Sequence, residues 1–163
     1  MTTCAILAPG PSMSAEVVAQ ASADCVIAVG NVYELAPDAD ILAANDHAWW
    51  IKNPQALQFK GRKVSCNRIV GVERIVGYSS WNSGVLALET AFLAGHTEIH
   101  LYGFDMHGSH FFGPYTNGLG NTKPARRVVH QQQFLAWRAT HARLKVINHT
   151  EGSELKAYPY VAS

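Results

Sequence analysis

Short runs of consecutive apolar residues recur along this chain at the length of β-strands, and helical stretches or loop signals separate them. Runs that are apolar at every position are typical of strands buried on both faces. Strand and helix alternate throughout, and parallel neighbours require crossover connections. The pattern therefore predicts an α/β fold with a parallel sheet sandwiched by helices. The predicted strands are Thr3 to Leu7, Cys25 to Val29, Asp40 to Ala44, Lys63 to Cys66, Glu98 to Tyr102 and Lys145 to Asn148.

Three helices are predicted between these strands. The first runs from Ser14 to Ala21, with Ser12 or Ser14 as its N-cap. The second, Ser83 to Ala94, is apolar almost all round and ends at Gly95, with Asn82 or Ser83 as cap. The third, Ala125 to Ala142, is amphipathic, and its predicted core face comprises Val128, Val129, Phe134, Leu135 and Trp137.

Length and charge restrict the function classes. The 163 residues suit one domain, 1–163, and no repeat or linker indicates a second. A net charge of +1 gives no overall field that would attract nucleic acid or an anionic membrane. The sequence lacks both a bilayer-spanning apolar run and the segments of a signal peptide. We therefore expect a cytoplasmic protein, and its oligomeric state stays open.

The three cysteines are an odd number without a CxxC pair. Cys4, Cys25 and Cys66 each lie in an apolar, strand-like run. This placement favours buried thiols.

A long segment without a predicted strand or helix runs from Gly103 to Pro124. This segment and the third helix lie between the last two predicted strands. The segment reads GFDMHGSHFFGPYTNGLGNTKP and contains five glycines, two prolines and several aromatic residues. Loops of this length in compact domains are usually functional. With glycines as hinges and aromatic rings as a cover, the segment is a candidate lid.

The first strand leads into a glycine turn, Ala8-Pro9-Gly10-Pro11-Ser12, followed by a helix. Free N–H groups at a helix N-terminus attract phosphate or carboxylate, so the turn outlines an anion site. Neither GxGxxG nor GK[ST] is present, and a plain strand-to-helix turn is equally compatible with the local sequence.

Polar residues follow two further strands. Asn31 ends one of them, and Asn45 with Asp46 ends the next. Because ligands of open parallel sheets bind outside the carboxyl ends of strands, these residues should converge on one crevice with Ser12. Asn and Asp are also common turn formers, so each could instead be structural. Small polar residues also lie at the start of the second predicted helix, in the sequence Trp81-Asn82-Ser83-Gly84. The fifth strand is followed by Gly103-Phe104-Asp105.

In this order the pieces resemble the bacterial CMP-sialic-acid-dependent sialyltransferases and the related proteins grouped with the archaeal 6-hydroxymethylpterin diphosphokinase. The most specific stretch is NSGVLALETAFLAGHTEIHLYGFD, from Asn82 to Asp105. The other matching pieces are APGPS (8–12), VGN (29–31), AAND (43–46) and QQFLAWRATHARLKVIN (132–148).

The resemblance implies a Rossmann-like, doubly wound, mostly parallel sheet and a nucleotide or nucleotide-sugar donor. It also implies a lid after the G-x-D element, and a histidine that acts as general base on the acceptor hydroxyl. The candidate bases are His107, His110 and His130. The expected nucleotide-binding residues are Gly10, Pro11, Ser12, Asn31, Asn45, Asp46, Ser83, Gly84, Gly103 and Asp105.

The two branches of this resemblance differ in metal use. In a pterin diphosphokinase-like enzyme, Mg²⁺ would bridge Asp105 or Asp46 to phosphates. Asp105, His107 and His110 could also hold a divalent metal by themselves, although the spacing D-x-H-x-x-H in a loop is weakly specific.

Cationic and aromatic residues complete the candidate site. Arg126 and Arg127 open the third helix, where they oppose its dipole unless an anion lies nearby, or are simply solvated. Trp49, Trp50 and Trp81 could stack on a base or pack on the sheet. The sequence favours a nucleotide-dependent transferase with an unknown acceptor; the alternatives are a Mg-dependent diphosphotransferase, a non-catalytic nucleotide-binding module and an interaction protein with a vestigial pocket.

Overall fold

A computed structural model describes residues 2–76 and 82–162. These residues form one sheet in which every pair of neighbouring strands is parallel, in the order β5-β4-β3-β2-β1-β6-β7. Together with helices on both faces, this confirms the predicted α/β class and a Rossmann-like, doubly wound arrangement. The strands are β1 Thr3–Leu7, β2 Cys25–Val29, β3 Ile41–Ala43, β4 Arg62–Ser65, β5 Glu73–Arg74, β6 Glu98–Tyr102 and β7 Lys145–Asn148.

Six of these strands were predicted, four of them with the observed bounds. Strand β5 was not, because it is only two residues long and both are exposed and charged. Such a strand has no apolar pattern, and its pairing with the end of β4 places it at the sheet margin.

The described residues form four α-helices: α1 Ala15–Gln20, α2 His47–Lys52, α3 Ser83–Leu93 and α4 Pro124–Thr140. Ser14 caps α1, because its side chain accepts from Val17 N. Asn82 caps α3 by accepting from the N–H groups of residues 84 and 85. Helix α2 was not predicted, and neither were two 3-10 helices, Gly30–Glu34 and Pro54–Gln58. None of the helices in the described ranges is both long and apolar enough to cross a bilayer.

The helices divide the core into two halves, one on each face of the sheet. Helices α3 and α4 cover one face, where Leu88 and Phe134 are buried with alternate residues of the strands. Helices α1 and α2 cover the other face, where Trp49 and Trp50 are buried. The strands are therefore buried on both faces, which explains their continuous apolar runs.

The predicted core face of α4 was partly wrong. Phe134 and Trp137 are buried, but Val128, Val129 and Leu135 are 58%, 37% and 42% exposed. Residues 134 and 137 are three apart and share a helix face, whereas a 3.6-residue period turns the other three away from it.

The chain reverses its winding between β1 and β6. Strand β1 leads to α1 on one face, while β6 leads through the long segment to α4 on the other. Connections that leave neighbouring strands in opposite directions open a crevice at their carboxyl ends.

Candidate functional site

A cavity of about 320 Å³ lies at the carboxyl ends of β1 and β6. This volume is at the lower end of the range for small-molecule sites. Its walls come from the glycine turn after β1, the start of α3, the segment after β6 and one side of α4. The described lining includes residues 8–10, 82–84, 103–110 and 119–122, with Asp46, Trp49, Tyr115, Arg127, His130 and Phe134.

Glycine is required where the two strands separate. Gly10 N donates to Gly103 O at 3.0 Å, so the two turns touch through their backbones. A Cβ atom on Gly103 would lie 2.1 Å from Ala8 O, and the residue has a φ of +74°. A Cβ atom on Gly10 would lie 2.1 Å from a carboxylate oxygen of Asp105. Any side chain at either position would therefore collide with the opposite turn.

Asp105 joins the two turns and is only 3% exposed. Its Oδ2 accepts hydrogen bonds from Ser12 Oγ at 2.7 Å and Ser12 N at 3.3 Å. Ser12 is not among the described lining residues, but its two hydrogen bonds hold the Asp105 carboxylate, which lines the cavity. Pro11, beside Ser12, is exposed and also lies outside that lining.

The N–H groups of the predicted anion turn have partners within the protein. Gly10 N bonds to Gly103 O, Ser12 N to Asp105 and Met13 N to Gly10 O. The helix α1 begins only after Ser14 and has six residues. The turn brings backbone close to the cavity, but in this conformation these three donors are already engaged.

The backbone after Asp105 bends sharply around the cavity. Met106 has a φ of +61°, a left-handed conformation that is uncommon for a residue with a side chain. The Arg127 guanidinium donates to Gly108 O, which ties this bend to the first turns of α4. Strained backbone held by surrounding contacts is typical of functional sites.

All three candidate histidines line the cavity. His107 Nε2 lies 3.2 Å from Gly152 O. The His110 ring stacks on Phe112 with 4.8 Å between centroids, and burial lowers the pKa of His110. Burial also lowers the pKa of His130, and the neighbouring positive charges of Arg126 and Arg127 lower it further. His110 and His130 are therefore neutral at pH 7 and able to accept a proton.

The strand-end asparagines hold the framework of the cavity. Asn31 Oδ1 accepts from Trp49 Nε1 at 2.8 Å and from the Tyr115 hydroxyl at 3.4 Å, so it positions two lining rings. Asn45 is fully buried, and its Oδ1 accepts from Cys66 N at 2.8 Å. Neither asparagine belongs to the described lining.

The remaining predicted site residues lie at the cavity wall. Asp46, Ser83, Gly84, Gly103 and Asp105 all line it, as does Gly10. Ser83 Oγ accepts from Asn45 N at 2.9 Å, which holds the start of α3 against the end of β3. Asp46 Oδ1 caps α2 through Ala48 N at 2.9 Å.

A second, adjoining compartment of about 390 Å³ opens beside the first. Its described lining is polar except for one glycine and includes Arg126. Both compartments share five residues, Asp46, Gly120, Asn121, Thr122 and His130. We call the first cavity the inner compartment and the second the outer compartment; His130 and Asp46 line both.

The candidate lid forms much of this wall. Phe111 N donates to Pro9 O at 3.0 Å, and Leu119 is buried against the α1 and α2 face. Burial raises the pKa of Tyr115 to about 12, so its hydroxyl stays protonated. The sequence did not single out Tyr115 or residues 119–122 as wall residues, and the only signal was the aromatic and glycine content of the segment.

Other sequence-based expectations have mixed placements. Trp50 is buried and donates from Nε1 to Ala44 O at 2.8 Å, so it packs on the sheet, whereas Trp49 reaches the cavity. Trp81 lies outside the described residues. In the described ranges, Asp105, His107 and His110 do not bring three donor atoms together as a metal site requires.

Comparisons with known proteins identify no family for the chain. No family model matches it, and no curated protein matches it. Among solved structures, it is similar to a protein from Lactobacillus plantarum, at 13% sequence identity and a TM-score of 0.48. The alignment covers 91% of this chain and 61% of that one, so the chain spans about three fifths of that protein's length.

Proposed function

We propose that the chain is a nucleotide-dependent transferase that holds a nucleotide-sugar donor in the inner compartment and an acceptor in the outer one. The observation that carries the proposal is the shared boundary, where a neutral histidine, His130, faces both compartments. A transfer between two substrates requires such a group at the point where they meet.

The inner compartment has the chemistry for a nucleotide. Trp49 and Tyr115 offer aromatic surfaces to a base, and Arg127 offers a cation to a phosphate. Asp105 offers a carboxylate that can accept from ribose hydroxyls. The resemblance to the sialyltransferases supports the same assignment, since it implies a nucleotide pocket lined by these turns.

The proposed reaction uses His130 as general base. The imidazole takes the proton of the acceptor hydroxyl while that oxygen attacks the sugar carbon of the donor. The bond between this carbon and the phosphate oxygen breaks, and its electron pair leaves with the phosphate. Arg127 offsets the charge that develops there.

Thermal unfolding with CMP, CDP, UDP, GDP, ATP and NAD, each with and without Mg²⁺, tests the binding step. A ligand selective for the folded state stabilises it by about 2.7 kcal/mol at 100 times its Kd. We expect one nucleotide class to raise Tm and Trp49→Ala to weaken that shift. Absence of a shift with every nucleotide would contradict the proposal and favour an interaction protein.

Alanine variants test the chemical step once a donor is found. We expect His130→Ala to lower kcat by about 100-fold or more, with a smaller effect on donor affinity. His107→Ala and His110→Ala are the matched comparisons, because both rings line the inner compartment only. Unchanged turnover in His130→Ala would exclude the proposed base, and donor binding without turnover in the wild type would favour a non-catalytic binding module.

A second candidate is a Mg-dependent diphosphotransferase. It is favoured by the presence of two carboxylates, Asp46 and Asp105, in the same cavity wall. Mg²⁺ is commonly held by one or two carboxylates together with substrate phosphates. ATP binding that occurs only with Mg²⁺, and that Asp46→Asn abolishes, would support this candidate over glycosyl transfer.

A further inference from the structure

Two cysteines and a histidine meet near the amino ends of β1 and β2, at the side of the sheet opposite the cavity. Cys4 on β1 and Cys25 on β2 are register partners in neighbouring parallel strands. His96 lies in the turn between α3 and β6. One donor atom from each of the three residues lies within 4.8 Å of the other two, and no other such group of three His, Cys, Asp or Glu residues occurs in ranges 2–76 and 82–162.

The turn that carries His96 is held in place by backbone bonds. His96 N donates to Ala91 O at 3.1 Å, which closes the end of α3. Thr97 N donates to Thr2 O at 3.2 Å, which brings the turn against the start of β1. The position of the His96 backbone therefore follows from the fold.

The imidazole has an unused donor or acceptor. His96 Nδ1 is buried and, among the described residues, has no hydrogen-bond partner. A buried polar atom without a partner costs about 1–3 kcal/mol, so its presence in a native structure requires an explanation. A bound cation would supply the missing partner.

We propose that Cys4, Cys25 and His96 bind a thiophilic divalent cation, zinc in the first instance, as a structural cross-link at the amino-terminal edge of the sheet. Two thiolates and an imidazole are a ligand set that zinc prefers, and they leave a fourth position for water or another donor. Tetrahedral zinc separates its sulfur and nitrogen ligands by roughly 3.5–3.8 Å, which a small contraction of this cluster would reach.

The charge balance suits a partly buried position. Each thiol releases its proton on binding, so two thiolates neutralise the two positive charges of the cation. A neutral cluster avoids the large cost of burying an unpaired charge.

The site is accessible and separate from the cavity. Cys4 is fully buried, but Cys25 and His96 are only partly buried, which gives a cation an entry path. Cys4 is near the start of β1 and Cys25 is the first residue of β2, whereas the cavity lies at the other ends of the strands. Metal binding here would join β1, β2 and the end of α3.

Cobalt titration of the reduced full chain, prepared metal-free and without a histidine tag, tests the proposal. We expect one Co²⁺ per chain, with thiolate-to-cobalt charge-transfer absorption that Zn²⁺ displaces. Cys25→Ser should abolish this absorption, and His96→Ala should raise the Kd by about 100-fold or more. Cys66→Ser is the matched control, because Cys66 is a partly buried thiol at the opposite edge, and it should bind as wild type.

Thermal unfolding gives a second readout that does not depend on colour. Zn²⁺ should raise the Tm of the wild type and of Cys66→Ser, but not of His96→Ala. Absence of charge-transfer absorption in the reduced wild type would overturn the proposal. Absorption that survives in both Cys25→Ser and Cys4→Ser would do the same, because the metal would then be bound elsewhere.

Discussion

The carboxyl ends and the amino ends of the parallel strands, here called the carboxyl edge and the amino edge of the sheet, differ in how they use polar residues. Six of the eight buried polar residues in the described ranges lie at the carboxyl edge or in the loops that form it: Asn45, Ser65, Asn82, Asp105, Asn148 and Thr150. At the amino edge, two polar pairs are exposed, Asp24 with Thr3 and Arg62 with Glu73. The buried polar groups of the carboxyl edge therefore depend on mutual hydrogen bonds, whereas solvent can replace the bonds of these two amino-edge pairs.

The winding of the chain explains this difference. Connections at the carboxyl edge leave on opposite faces of the sheet around β1 and β6, and they surround a cavity instead of packing together. Loops around a cavity must satisfy their buried polar groups through each other. Substitutions at the carboxyl edge should therefore be costly, and equivalent ones at the amino edge should be cheap.

The largest effect is expected for Gly103→Ala. The new Cβ atom would collide with Ala8 O in addition to the cost of a φ of +74°. We expect the free energy of unfolding, measured by urea denaturation, to fall by about 4 kcal/mol or more. Gly113→Ala is the control, since it has a φ of +84° with no atom within 4 Å of the added Cβ, and should lose only about 1 kcal/mol. Equal losses in the two variants would show that the close approach of the two turns is unimportant.

A smaller loss is expected for Asp105→Asn. This change removes the charge that accepts both hydrogen bonds from Ser12 in a buried position. Urea denaturation should show a loss of about 1–3 kcal/mol, and Ser12→Ala should account for part of it. The same substitution at exposed Asp24 should have a smaller effect, because solvent replaces the lost bonds. A larger loss at Asp24 would reverse the comparison of the edges.

Acidification should weaken the carboxyl edge first. His110, His130 and His149 have folded pKa values below the ordinary 6.5, with burial as the main cause. As pH falls below 6.5 the unfolded chain takes up protons that the folded chain resists, so the free energy of unfolding falls from pH 7 towards pH 5. The slope is at most about 1.4 kcal/mol per pH unit for each histidine.

Variants distinguish the effect of these histidines on stability from the effect of the carboxylates at the amino edge. His130→Gln should flatten the decline between pH 7 and pH 5 in urea denaturation series. At the amino edge, hydrogen bonds to Thr3 lower the pKa of Asp24, and Lys145 lowers that of Glu98. The stability from these carboxylates is lost only as pH falls below the ordinary pKa values of Asp and Glu and through their lower folded pKa values. An unchanged slope in His130→Gln would contradict the assignment.

The smallest effect is expected for Glu73→Gln. The ion pair between Arg62 and Glu73 is 2.9 Å long, and both side chains are 49% exposed. Exposed pairs contribute about 0–1 kcal/mol, so the change in unfolding free energy should stay within about 0.5 kcal/mol and shrink further in salt. A loss comparable with that of Asp105→Asn would remove the distinction between the edges.

Sequence patterns predicted the fold better than the site. Strands β1, β2, β6 and β7 have the predicted bounds, because each is a continuous apolar run in a doubly covered sheet. The six-residue α2 was missed because its sequence, HAWWIK, is too short to establish a helical period. Asn45 looked like a ligand residue, but it ties loops together, and residue type cannot distinguish these two roles.

The sequence by itself determined which segments are buried, how strand and helix alternate, and therefore that the sheet is parallel. Only the tertiary structure decided that Asp105 meets Ser12, that His130 lies on the boundary of two compartments, and that Cys4 and Cys25 meet His96. The physical reason is how far apart in the sequence the interacting residues lie. Hydrophobic periodicity is a local property of the chain, whereas these contacts join residues that are tens of positions apart and depend on strand order and loop path.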